Sequence, residues 1–259
     1  MVAFRSMRRL LLTALVILTA VAAMPPSASA ALISTEQEIR IGRDAARDLE
    51  RRYGVDADPV RTRRMTAVGG RLTALSARRD LPWRFRILAV REMNAVSLPG
   101  GFIYVTRGML DSLRSDDELA YVLAHEIAHV NQRHHVRLIE QYFALSIVIT
   151  LLFGGNATTG QIADFVGFLL TRGFSRGREF EADDVGVGFA HRAGFRADAG
   201  LAVLERLRAI EGRDPSQVEV LFRTHPGLAD RIVRMRRRLR DLGYRVGHAR
   251  TVPVGVAAA

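Results

Sequence analysis

Ser115-Asp116-Asp117-Glu118-Leu119-Ala120-Tyr121-Val122-Leu123-Ala124-His125-Glu126-Ile127-Ala128-His129-Val130 reads as one amphipathic helix that carries a His-Glu-x-x-His element. Ser115 with Glu118 three residues later forms a capping box, and Asp116, Asp117 and Glu118 complement the positive end of the helix. Leu119, Val122, Leu123, Ile127 and Val130 supply an apolar stripe. His125 and His129 stand one turn apart, so both imidazoles project from one face and can share a zinc ion. Glu126 lies about 100° around the helix. It can reach a water on such a metal without ligating the metal itself.

A catalytic zinc needs a third protein ligand and one open position. The sequence has no Cys, so the ligand must be His, Asp or Glu. Two candidates exist. His135 occupies the last position of the longer pattern His-Glu-x-x-His-x-x-Gly-x-x-His, but that pattern needs Gly at 132 and the residue is Gln132. Without the turn, His135 lies about 240° around the helix from His129 and faces away. His134 and His135 are therefore expected to be exposed or packed locally. The second candidate is the run Arg178-Glu179-Phe180-Glu181-Ala182-Asp183-Asp184. Glu179 and Asp183 share a helix face. A carboxylate ligand followed by a second carboxylate one turn on suits zinc, because the second can accept a ring N–H from a ligating His. Taken alone, the same run reads as a solvated ion-pair face.

Outward from these motifs the chain is ordinary in composition. It has 259 residues, 48% apolar and 25% charged. That excludes disorder, collagen-like repeats and a polytopic membrane protein. All 38 basic residues are Arg, against 27 acids, for a net charge of +11. Residues 1–30 read as a secretory signal peptide: Arg5, Arg8 and Arg9, an apolar run from Leu10 to Ala23, Pro25-Pro26, then Ala28-Ser29-Ala30. The run is shorter than the roughly 20 residues of a spanning helix, so cleavage is favoured over a retained anchor. Without this segment, which holds three Arg and no acid, the charge is +8. Export removes nucleic acid from the expected partners.

The remaining chain predicts an α+β fold, mostly helical with a small sheet. Helices are expected from Ser34 to Tyr53 and over 60–78. Trp83, Phe85, Ile87 and Ala89 alternate with other residues as in a strand, and Phe102 to Thr106 reads as a second strand after a turn at Leu98-Pro99-Gly100-Gly101. From Met109 onward the pattern is helical, broken at Gly154-Gly155, Gly194, Gly212 to Pro215, and Pro226. One domain over 31–243 and a weakly structured tail over 244–259 are expected. Thr224-His225-Pro226 alone reads as a capping or turn histidine.

Together, His125-Glu126-x-x-His129 and Glu179-x-x-x-Asp183 resemble the gluzincin metallopeptidases related to the CAAX prenyl protease, and within them the soluble periplasmic members. Asn94-Ala95-x-x-x-Pro99-Gly100-Gly101-x-Ile103-x-Val105 is similar to that family's edge-strand segment. Arg172 to Asp183 is similar to its Ser-Arg-x-x-Glu run, and Thr224-His225-Pro226 with Arg231-Ile232 to its Thr-His-Pro segment. The resemblance runs from about Glu36 to Leu239 and does not include the helical repeats of longer members. It implies a zincin-type metallopeptidase domain with one zinc per chain on His125, His129 and Glu179. It further implies Glu126 as general base, Asp183 as partner of a ligating His, and Glu181 as an outer or solvated group. His225 would either donate to the oxyanion or fill the open metal position. Phe102, Ile103 and Tyr104 are expected to pair with an extended substrate backbone.

The implied activity is zinc-dependent endoproteolysis of unfolded or misassembled envelope proteins in an exported, periplasmic setting. The rival is a zinc-bearing chaperone or assembly factor with little turnover. Two features raise contact with a membrane surface. One is the apolar pair of stretches within 142–170, read first as a buried hairpin. The other is the Arg-rich helix 231–240, read first as a solvated face.

Overall fold

The computed structural model describes residues 33–142 and 173–246. The chain divides into a unit Met1–Ser34 and a unit Thr35–Ala259. All elements below belong to the second. The signal-like segment, the apolar stretches after Tyr142 and the tail beyond Val246 lie outside the described residues.

Helix α1 spans Thr35–Tyr53 and α2 spans Pro59–Thr73. Asp58 caps α2 by accepting from the Val60 and Arg61 amides at 2.8 and 3.0 Å, and Pro59 occupies the first turn where no N–H is needed. The expected helix over 60–78 ends early, at Thr73. Beyond it Arg78 turns inward to pair with buried Glu38 of α1 at 2.8 Å.

Three strands follow: β1 Arg84–Leu88, β2 Ala95–Leu98 and β3 Phe102–Thr106. Their order is β1-β3-β2, with β1 parallel and β2 antiparallel to β3. The sequence reading missed β2, whose four residues are too short for a period to register. This corrects the expected substrate strand. Phe102, Ile103 and Tyr104 are central, paired on both sides and buried on both faces, so their backbone has no free edge. The edge strands are β1 and β2; Leu88 of β1 carries an isolated bridge to Val55, and no further described strand pairs with β2.

The two faces of the sheet meet different layers, as alternation of side chains requires. Leu88, Leu98, Phe102 and Tyr104 pack with Ala45, Ala46 and Leu49 of α1. Phe85, Ile87, Ile103, Val105 and Ala95 face the main core. That core is closed by α3 Arg107–Ser112, α4 Asp116–Asn131, α5 Arg176–Arg192, α6 Ala199–Glu211, α7 Glu219–Thr224 and α8 Leu228–Asp241. The described part of the expected loose tail is anchored: Tyr244 and Val246 pack against the core, and the Tyr244 hydroxyl accepts the Ala197 N–H at 3.3 Å.

Helix α4 starts at the predicted cap, with Ser115 accepting from the Glu118 amide; Glu118 accepts from the amide of Arg114, one residue before the cap, where a capping box would use that of Ser115. It is buried along almost its whole length, and α5 packs against it. Gly186 permits the close approach, because a Cβ there would lie 3.0 Å from the His125 backbone nitrogen. Glu179, Asp183 and Gly186 share one face of α5. The same contact therefore carries both carboxylates to the His125–His129 face.

Among the described residues, no helix is long and apolar enough to cross a membrane. Helix α8 turns Leu228, Ile232, Met235 and Leu239 into the core, leaving Val233, 60% exposed, as its one large apolar side chain on the outside. The apolar face that lipid insertion through 231–240 would use is committed to internal packing.

Candidate metal centre

His125, His129, Glu179 and His225 converge, with one ligand atom from each lying within 4.8 Å of the others, and all four are buried. His125 Nε2 lies 3.1 Å from His129 Nε2 and 3.3 Å from Glu179 Oε2. His129 Nε2 lies 3.4 Å from Glu179 Oε1. His225 Nδ1 lies 3.4 Å from His125 Nε2 and 3.1 Å from Glu179 Oε2. Four ligands at about 2.0–2.1 Å from a tetrahedral zinc would stand about 3.3 Å apart, so the observed spacings fit that ion.

The hydrogen bonds around the cluster aim the donors. Asp183 Oδ1 accepts from His125 Nδ1 at 2.9 Å, which turns Nε2 inward. His225 Nε2 donates to the Ala95 carbonyl at 3.3 Å, which leaves its Nδ1 lone pair facing Glu179 and His125. These lone pairs and carboxylate oxygens at 3.1–3.4 Å need a proton or a cation among them. Burial and the Arg231 charge oppose protonation of His125, but the Asp183 and Glu179 carboxylates outweigh them and hold its pKa at about 9. Burial keeps the neighbouring His129 well below the ordinary value, and therefore neutral.

Arg231 is the counter-charge of the site. Its Nε and Nη2 donate to the two Asp183 oxygens at 2.7 and 2.8 Å, and its Nη1 stands 3.1 Å from Glu179 Oε2. Tyr121 adds a hydroxyl donor to Asp183 at 3.0 Å. Burial alone would raise both carboxyls. For Glu179 the contact with His225 and the Arg231 charge, and for Asp183 chiefly Arg231, hold them well below the ordinary carboxylate range.

Glu126 stands beside the cluster, buried, with Oε2 accepting the Ser97 hydroxyl at 2.6 Å and Oε1 3.6 Å from His225 Nε2. Ser97 is on edge strand β2, so the carboxylate and the free strand edge meet at one place. His135 does not join the four donors. Its Nε2 donates to the Ser97 carbonyl at 2.7 Å, and burial lowers its pKa to about 3.

His134 and His135 are thus buried, not exposed: His134 packs on nearby His129, and His135 reaches Ser97. The reason is a break in the helix. Helix α4 stops at Asn131, Arg133 takes a positive φ of 52°, and residues 134–142 resume as helix. Glu181 is partly exposed and contacts His134 at 3.2 Å. Ser97, Tyr121 and Arg231 were missed as site residues. Arg231 had a signal in the sequence: it shares the apolar face of α8 with Leu228, Ile232 and Met235, where a charge needs a buried partner. Ser97 had none.

A His-Glu-x-x-His helix joined by a Glu from a second buried helix, on an α+β scaffold, defines a metallopeptidase. Residues 59–239 match the model of Peptidase family M48, and the chain belongs to that family. It is a protease. The mitochondrial metalloendopeptidase OMA1 of Schizosaccharomyces pombe is 33% identical over 204 residues, covering 77% of this chain and 60% of that protein. The beta-barrel assembly-enhancing protease of Yersinia pestis is 29% identical over 213 residues, covering 77% and 43%. That of Escherichia coli (strain K12) is 27% identical over 223 residues, covering 81% and 45%. The chain spans about half the length of the curated relatives it matches.

Proposed function

We propose that the chain is an exported zinc endopeptidase that hydrolyses peptide bonds in unfolded or misassembled proteins of the cell envelope. The supporting observation is the set of four buried donors, one ligand atom from each within 4.8 Å of the others and five of the pairs 3.1–3.4 Å apart. The signal-like residues 1–30 support export, and the relatives named for β-barrel assembly support the substrate class. His125, His129 and Glu179 hold the metal. Zinc bound there supplies Lewis acidity toward a peptide carbonyl and lowers the pKa of water toward 7.

The chain's own groups do the rest. An extended substrate pairs with the free edge of β2, beside Glu126. Glu126 takes a proton from the attacking water and passes it to the leaving amine. Ser97 holds the Glu126 carboxylate in place through its hydroxyl. Asp183, clamped by Arg231, keeps His125 turned inward. The purified protein should contain one zinc and cleave casein. A chelator should stop cleavage and added zinc restore it; cleavage that persists in the metal-stripped protein would overturn the reading.

His225 is read as a resting fourth ligand, because its Nε2 donation to Ala95 aims Nδ1 at the cluster. This favours a low resting turnover. Substrate arriving at β2 would compete for the same Ala95 carbonyl. His225→Ala should therefore raise casein hydrolysis severalfold, measured at saturating zinc. A fall would assign His225 as an oxyanion donor.

A further inference from the structure

His125 and His129 are oriented by different means. His125 donates straight to buried Asp183. His129 has no carboxylate at its Nδ1; it has the Nδ1 of His134, at 2.9 Å. His134 Nε2 in turn stands 3.2 Å from Glu181 Oε2. The His134 side chain is 0% exposed, whereas that of Glu181 is 43% exposed. Phe174 closes over this line, stacked on His129 with ring centroids 4.1 Å apart and planes 18° apart.

On an unbroken helix His134 would lie about 140° around from His129. The positive φ of Arg133 is what brings it back. A non-glycine residue in that conformation persists where surrounding structure holds it. Here the turn delivers one buried ring onto a second.

The chain of contacts allows two proton arrangements. In the first, His129 Nδ1–H donates to His134 Nδ1, and His134 Nε2–H donates to Glu181. His129 Nε2 is then a lone pair facing His125 and Glu179. In the second, His134 Nδ1–H donates to His129, and the bare His134 Nε2 faces the Glu181 carboxylate. That places two acceptors at 3.2 Å. The negative charge of Glu181 disfavours the second arrangement and selects the first.

We infer that Glu181 and His134 are positioning residues for metal binding: the Glu181–His134 relay sets the tautomer in which His129 presents Nε2 to the metal. The inference rests on reading His129 as a ligand. The two ligating histidines are then held unequally, one by a buried ion pair and the other by a relay that ends at the protein surface.

The test is zinc affinity of the full chain, measured by competition with a chromophoric chelator. Glu181→Gln keeps an acceptor but removes the charge, and His134→Phe removes the relay at similar volume. Outer-shell losses of this kind weaken metal binding by about 10–100-fold. Glu181→Gln is expected near the low end and His134→Phe near the high end. The melting temperature of the metal-free Glu181→Gln protein should match wild type, since the side chain is partly exposed. Asp184→Asn is the control. It removes an exposed charge from the same helix, one that pairs with Arg234, without touching His134. Two results would overturn the inference: Glu181→Gln binding zinc as tightly as wild type, or Asp184→Asn weakening binding equally. Repeating the titrations in a Glu126→Gln background separates this result from the peptidase reading, because zinc affinity is then read in a protein not expected to turn over substrate.

Discussion

Glu126→Gln is expected to retain one zinc per chain and to lose casein hydrolysis by about 10²–10⁴-fold, the range that general acid–base groups contribute. Three features separate the two effects. Glu126 is not among the four converging donors. Its nearest hydrogen-bond partner is the Ser97 hydroxyl at 2.6 Å, which can donate to an amide oxygen as well as to a carboxylate. The side chain is also isosteric with Gln, so the packing around this buried position is kept. Metal content, melting temperature and turnover should be measured on one preparation. Undiminished turnover would remove Glu126 from the mechanism, and loss of zinc together with turnover would make it a structural part of the metal site.

Arg231→Met is expected to cost on the order of 3–5 kcal/mol of stability, since removing one partner of a buried charge network strands the other. For a domain of this size that corresponds to a drop of roughly 10 °C in melting temperature. Met fills a similar volume, so the loss reports charge and hydrogen bonding. Asp183 would lose two of its donors, and Glu179 its nearest guanidinium contact. The pH dependence gives the sign. Both carboxyls have pKa values held below the ordinary 3.8 of Asp and 4.5 of Glu, so their contribution is present above that range and is lost as pH falls through the lowered values. Without Arg231 the largest cause of the lowering at Asp183 goes, and one of the causes at Glu179. The stability gap between wild type and variant should be widest near neutral pH and narrow on acidification below about pH 4. A gap that stays constant with pH would mean that Arg231 acts through packing alone.

The local parts of the site were legible in the sequence. The spacing of His125, Glu126 and His129, the box at Ser115 and Glu118, and the shared face of Glu179 and Asp183 all follow from helix geometry within one or two turns. The sheet was half legible. Strands β1 and β3 show apolar or alternating character, while β2 is four residues between a loop and a glycine turn. Missing β2 made the central strand look like an edge. His134 was misplaced for a similar reason: a helix projection cannot foresee one positive φ at an arginine.

By itself, the sequence determined the ligand chemistry. With no Cys, a metal must take His and carboxylates, and an i, i+4 pair on a helix already points two imidazoles the same way. Tertiary structure decided which distant groups complete the arrangement. Strand pairing made β2 an edge strand and put Ser97 on Glu126. The packing of α8 put Arg231 between Glu179 and Asp183, and the turn before it aimed His225 at the cluster. Those contacts join segments far apart in the chain, and their partners are set by burial and charge compensation, which no local periodicity encodes.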